Sequence, residues 1–393
     1  MIEPPAAPHS PTKPRPLATG RQWGASLAAL AIAGGGIVGL RFWDDWAWSN
    51  YAEVRSGYDQ ALSEATKWST ALESSLRNAD NLHTVSSLVA ESAADYVEDD
   101  LVGALQASDA SFAEVVTGAR SHANWSEPPL RSFSENAILW EVLGESAQLS
   151  ETAEQLRAES DLLSHTTKTL NDENDSFEND VVSFINEVGS AGQSALARYP
   201  SATNDSYREL KTAADLAASH TSVDARSAGL VDRVIEQTDA VASSHAAKEA
   251  AKAGPLAARR NEIESFARSI AGGVRIDFTW KDVVIGHGQG RSAAGTATWD
   301  TADTGYSSVT LTNSIARYWT EWAGYRSLVA HEIGHSITSK CHDAFAEGPF
   351  GDNNERWATA WAIGMGYTVS AANGSDLYGA PTAAQINATK SCR

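Results

Sequence analysis

The stretch RSLVAHEIGHSITSK, residues 326–340, reads as one helix, with Leu328, Val329, Ile333 and Ile337 recurring at helical spacing. His331 and His335 stand four residues apart and so share a face, which lets both imidazoles point at one cation. Glu332 is rotated by about 100° from His331. From there its carboxylate can reach a water on that cation and take a proton from it, leaving a nucleophile. The chemistry asks for two imidazoles and one carboxylate at this spacing, and zinc is the metal that suits such a set.

A catalytic zinc needs a third protein ligand. In the metzincin pattern a glycine falls three residues after the second His and a third His six residues after it. Those positions hold Thr338 and Cys341, which excludes that pattern. Twenty residues beyond His335 stands Glu355, in NERWATAWA (354–362). This segment is expected to form a second helix, capped by Asp352, Asn353 or Asn354 and ending near Gly364 and Gly366. Asp352 and Asp343 are substitute ligands, and Cys341 beside His342 is another. Upstream, composition shifts at Gly272-Gly273. VRIDFTW (274–280), AGTATWD (294–300) and YSSVTLT (306–312) then alternate as strands of a small antiparallel sheet, and NSIARYWTEW follows as helix.

HEIGH followed by ERWATAWA resembles the gluzincin-type zinc metallopeptidases, in which an HExxH helix precedes a second helix bearing ExxA. The likeness covers about 120 residues, 273–393. It implies His331, His335 and Glu355 as zinc ligands, Glu332 as general base, and a strand before the first helix, Ser307–Thr312, lining the substrate cleft. Many such enzymes carry Asp or Asn after the Ala to orient a zinc-bound His, where this chain has Thr359, whose hydroxyl can accept an imidazole N–H. Candidates for stabilising an oxyanion are Tyr367, Tyr306 and His287.

The rest of the chain is different in kind. Over 42–190 there are 7 bases against 28 acids, a net of −21, which alone exceeds the −20 of all 393 residues. Such a balance excludes a general nucleic-acid binder, which needs a basic surface to displace phosphate counterions. Residues 50–270 carry few Pro or Gly and place apolar residues at three- and four-residue steps, as in Leu149, Ala153 and Leu156. They are expected to form several helices of about 15–40 residues, broken at Glu127-Pro128-Pro129, Tyr199-Pro200-Ser201 and Gly254-Pro255. With no sustained heptad, an irregular bundle or bent coiled-coil stalk over 42–271 is expected, a surface open to self-association. Asp, Ser and Thr stand at the helix starts, for example Ser201 or Thr203 before SYRELKTAADLAA.

Residues 1–21 are Pro-rich and polar and read as a disordered tail. WGASLAALAIAGGGIVGL, 18 uncharged residues from Trp23 to Leu40, is long enough to span a bilayer core as a helix at about 1.5 Å per residue. Basic residues before it and Asp44 and Asp45 after it place the N-terminus inside the cell. The fold class expected is therefore α+β, in four parts: the tail, a transmembrane signal-anchor over 22–41, an acidic helical stalk over 42–271, and a zincin-like domain over 272–393. Cys341 and Cys392 are the only cysteines, and in an extracytoplasmic domain they form a disulfide. These readings converge on a membrane-anchored, extracytoplasmic zinc metallopeptidase that acts on peptides or proteins and touches the bilayer through one helix. The competing reading is a non-catalytic envelope scaffold whose zincin domain is inactive.

Overall fold

The computed structural model describes residues 38–129 and 137–393. The tail over 1–21, and all of the segment 22–41 before Val38, lie outside the described residues. Six helices come first: α1 (Val38–Ala93), α2 (Asp99–Arg120), α3 (Leu139–Arg198), α4 (Asn204–Ala218), α5 (Ser227–Lys252) and α6 (Ala257–Ile270). At 56 and 60 residues, α1 and α3 outrun the expected lengths, because neither contains a proline to remove a backbone donor. The breaks at Pro200 and at Gly254-Pro255 separate α3 from α4 and α5 from α6, and the Thr203 side chain caps α4 by accepting from the Ser206 amide.

Two parts of the expected fold class need correction. Among the described residues no helix is long and apolar enough to cross a membrane, so the N-terminal transmembrane helix is unsupported. The described start of α1 carries Asp44, Asp45, Glu53, Arg55 and Asp59 and exposes Phe42, Trp43 and Trp46 between them. The sheet is also mixed instead of antiparallel. Its strands β1 (Arg275–Lys281), β2 (Gly295–Trp299) and β3 (Tyr306–Thr312) lie in the order β1-β3-β2. β3 pairs in parallel with β1, Phe278 opposite Val309, and antiparallel with β2, Ala297 opposite Val309. Alternation along each strand cannot tell these pairings apart, because both present every second side chain to one face.

The described residues divide into two compact units, one of residues 38–72, 123–129 and 137–166, the other of Glu73–His122 with Thr167–Arg393. In the first, Tyr58, Ala61 and Ala65 of α1 and Leu149, Ala153 and Leu156 of α3 form one buried cluster at helical spacing. In the second, the remainder of α1 and α3 and the whole of α2 pack through Phe112 stacked on Phe177 at 4.3 Å. A polar contact joins them too: Asn174 Nδ2 donates to the Ser75 carbonyl at 3.1 Å. Gly189 lets α3 touch α4 directly, since a β-carbon there would lie 2.3 Å from the Ala218 nitrogen.

The same unit ends with α7 (Asn313–Tyr318), α8 (Gly324–Ile337), α9 (His342–Ala346), α10 (Asn354–Gly364), α11 (Ser375–Tyr378) and α12 (Ala383–Ala388). One core joins the sheet (Ile276, Phe278, Val309, Leu311), α8 (Val329, Ile333, Ile337), α10 (Trp357, Trp361) and α6 (Ile263, Ala267). Each large apolar side chain buried here contributes about 1.5–3 kcal/mol. α6 is thus part of the body that carries the HEIGH helix. A buried charge cluster reinforces it: Glu264, 1% exposed, accepts from Lys252 at 2.9 Å, Arg268 at 3.2 Å and the Trp280 indole at 2.9 Å. With three donors shared between its two oxygens, two of them cationic, the carboxylate is paired as burial requires.

Candidate metal centre

α8 presents His331 and His335 on one face, and α10 brings Glu355 against them from its first turn. The three donor atoms converge. Glu355 Oε2 lies 3.1 Å from His331 Nε2 and 3.2 Å from His335 Nε2, and the two Nε2 atoms are 3.1 Å apart. Tetrahedral zinc with bonds of about 2.0–2.1 Å holds its ligands roughly 3.3 Å from one another, close to this spacing. Among the described residues this is the one group of three His, Cys, Asp or Glu side chains close enough to share an ion.

The other ring nitrogens explain the direction of those donors. His331 Nδ1 donates to the main-chain carbonyl of Asn373 at 3.0 Å. His335 Nδ1 donates to Asn354 Oδ1, whose own Nδ2 donates to Thr338 Oγ1 at 2.9 Å. With both Nδ1 positions committed, the neutral imidazoles turn their Nε2 lone pairs toward each other, an arrangement that only a proton or a cation relieves. The donor set and its supporting bonds therefore fit a zinc ion.

Electrostatics agrees. Partial burial works against ionising Glu355, yet its hydrogen bonds with His331 and His335 outweigh burial and hold the carboxyl well below the usual range. Burial likewise works against a charged His335, and Glu355 again prevails, raising its pKa. Glu332 goes the opposite way: burial pushes its carboxyl up, and the attraction of His331 and His335 offsets only part of this. The two carboxyls are thus shifted in opposite directions, Glu355 down and Glu332 up.

Three glycines make these positions accessible. A β-carbon on Gly334 would lie 2.8 Å from the Ala358 Cα, so the HEIGH and ERWATAWA helices cross backbone to backbone. One on Gly295 of β2 would lie 2.6 Å from Glu332 Cγ. One on Gly374, at φ +91°, would meet His331 Cε1 at 2.8 Å.

The remaining candidates separate. Asn353, one of three expected caps, caps α10 by accepting from the Arg356 amide at 3.0 Å. Asp343 and Asp352 stand outside the ligand cluster, and Cys341 is bonded to Cys392. Thr359 Oγ1 donates to the Glu355 carbonyl at 2.8 Å and lies 3.4 Å from His331 Nδ1, so orienting that ring falls mainly to Asn373. His287 lines the cleft beside Glu332. Tyr306 instead stands beside Tyr207 and Arg208, and Tyr367 packs edge-on to Phe266. β3 is the middle strand, so the strand that lines the site is β2 at the sheet edge, from which Trp299 stacks on His335 at 6.0 Å.

Two contributors carry no sequence signal of their own. The Tyr378 ring stacks on His331 at 6.0 Å and lines the same lobe of the cleft as Glu355. Asn373 offers only a carbonyl. Asn373 lies in a loop and Tyr378 in the four-residue α11, both too short for a hydrophobic period, and the one visible hint is the pair of glycines, Gly374 and Gly379, that flank α11 with positive φ. Comparison with protein families, curated proteins and solved structures finds no match to this chain.

Proposed function

We propose that this protein is a zinc-dependent peptidase of the gluzincin type, with His331, His335 and Glu355 holding the metal and Glu332 as general base. The observation that carries the reading is the convergence of two Nε2 atoms and one carboxylate oxygen within 3.1–3.2 Å, each imidazole tied back through Nδ1. Zinc bound there supplies a Lewis acid that acidifies water and polarises a carbonyl.

The chain's own groups do the rest. Glu332 accepts the proton of the attacking water at its carboxylate, holds it, and delivers it to the leaving amine. Its elevated pKa suits the second half of that task. β2, an edge strand, offers a peptide main chain antiparallel pairing across the site. Tyr378, beside Glu355, is placed to donate its O–H to a carbonyl oxygen gaining negative charge. The Cys341–Cys392 disulfide supports an oxidising, extracytoplasmic setting for this unit.

The test uses the full chain: metal content by elemental analysis, and hydrolysis of a denatured protein substrate by wild type and Glu332→Gln. One zinc per chain in both, with hydrolysis falling about 10²–10⁴-fold in the variant, supports the reading. Zinc bound without hydrolysis that depends on Glu332 sinks it.

A further inference from the structure

The cleft over the metal centre has two lobes, of about 330 and 250 Å³, sharing Ile285, Gly295, His331, Glu332 and Tyr378 as common walls. The larger lobe is walled by Ile285, Leu328 and Leu377, and its polar rim holds Asp376 and His287. No Lys or Arg lines either lobe.

Ile285 is the unexpected residue. Val284 and His287 exchange both main-chain hydrogen bonds at 2.9 Å, closing a two-residue hairpin turn over Ile285 and Gly286. Both central residues have positive φ, +48° and +76°. Such a turn is normally built from Asn-Gly, because a β-branched side chain crowds its own backbone there. Beside the turn, Gly288 passes so close to residue 282 that a β-carbon on it would lie 1.9 Å from the Asp282 carbonyl oxygen. Ile285 accepts this strain while leaving its side chain 71% exposed at the cleft mouth. Strain kept for an exposed apolar group points to what that group touches. Leu377, 76% exposed, projects from α11 into the same lobe, held between Gly374 and Gly379.

We infer that the larger lobe selects a peptide residue with an aliphatic side chain next to the cleaved bond and rejects an acidic one. The inference rests on the metallopeptidase reading of the same site. Ile285, Leu328 and Leu377 supply the apolar contact, and Asp376 repels a carboxylate with no Lys or Arg in the lobe to pair it.

The experiment digests an equimolar synthetic peptide pool with the zinc-loaded full chain and maps cleavage sites by mass spectrometry. Leu, Ile, Val and Met are expected to be enriched, and Asp and Glu depleted, at one position flanking the cut. Ile285→Asn, which suits the turn and so keeps the fold, and Leu377→Ser should each reduce the preference for Leu over Asp by about tenfold or more. Their thermal unfolding should stay at or above that of the wild type for Ile285→Asn. A flat cleavage profile, or a preference unmoved in both variants, overturns the inference and leaves the metallopeptidase reading intact.

A second readout is independent of catalysis. Methyl NMR of Glu332→Gln is recorded with acetyl-leucine amide and with acetyl-aspartate amide. Shifts of the Ile285 and Leu377 methyls with the leucine probe alone support the selective lobe even if the pool is not cleaved, a result that would count against the peptidase reading only. No shift with the leucine probe, or equal shifts with both, overturns the inference.

Discussion

Gly334 and Ala358 meet backbone to backbone. A β-carbon on Gly334 would stand 2.7 Å from the Ala358 carbonyl oxygen and 2.8 Å from its Cα, and the Trp357 indole donates to the Gly334 carbonyl at 2.9 Å across the same crossing. This contact sets the distance between α8 and α10, and with it the distance from the two imidazoles to Glu355. The glycine of HEIGH and the alanine of ERWA are therefore one packing device with a chemical result.

Gly334→Ala tests that device. Helix propensity alone favours alanine by about 0.5–1 kcal/mol, whereas forcing the helices apart costs about 1–3 kcal/mol. The expected net effect is a lower thermal unfolding midpoint, with zinc affinity falling about 10- to 100-fold by titration calorimetry. A variant that unfolds later and binds zinc as tightly as wild type contradicts this account of the crossing.

Gly295→Ala should separate metal binding from catalysis. The added methyl would stand 2.6–2.9 Å from Glu332 Cγ, Cδ and Oε1, so that side chain must move while His331, His335 and Glu355 stay. Displacing a catalytic group by about 1 Å costs roughly 10²-fold in rate. Unchanged zinc stoichiometry with hydrolysis reduced to that degree is expected; full activity would mean that Glu332 tolerates the shift.

Glu332 also makes the metal-free protein sensitive to pH. Its folded pKa lies above the ordinary value of 4.5, mainly through burial, so the folded state keeps a proton that the unfolded state has lost. Stability from this group is complete below about pH 4.5 and declines as pH rises toward the folded pKa. Glu332→Gln removes the decline. In chelator, urea titrations should show the variant gaining on wild type from pH 4 to pH 7, and parallel curves would contradict the burial argument.

Ile263 on α6 is fully buried in the core shared with α8 and β3. Ile263→Ala should cost about 2–5 kcal/mol, seen as a lower urea midpoint, even though the residue lies outside the segment that carries the gluzincin likeness. A chain beginning at Gly273 would lose α6 altogether and is expected to aggregate, which size-exclusion chromatography of the purified fragment checks.

The disulfide between Cys341 and Cys392 closes a loop across a separation of 51 residues. In the chain-entropy model that contributes about 4 kcal/mol. It ties the end of α8 to a terminal turn whose Cys392 carbonyl accepts from the Trp361 indole of α10 at 3.0 Å. Paired Cys341→Ala and Cys392→Ala substitution should lower the urea midpoint accordingly, and an unchanged midpoint would show the C-terminal turn to be held by packing alone.

Much of this site was legible in the chain because its signals are local. His331, Glu332 and His335 need only the pitch of one helix, and Glu355 needs only a second helix with its cap. All three strands were readable from alternation, and the proline breaks from the missing amide. What was not legible depended on contacts distant in sequence. The strand before the HEIGH helix, Ser307–Thr312, is expected to line the cleft, yet β1 and β2 flank it, leaving β2 to take that place. Thr359 occupies the position where an orienting group is expected, yet the Asn373 carbonyl does that work from a loop.

The sequence by itself determined the donor types, their spacing within each helix and the helical stretches, because each follows from periodicity or local backbone preference. Tertiary structure alone decided that α6 shares the core of the HEIGH helix, that the sheet is mixed, that Cys341 and Cys392 are bonded, and that Tyr378, Asn373 and Ile285 reach the candidate metal site. The physical reason is that these depend on which backbones can approach, and such approach is set by glycines whose missing β-carbons matter only once a partner segment, unknown from the local sequence, lies against them.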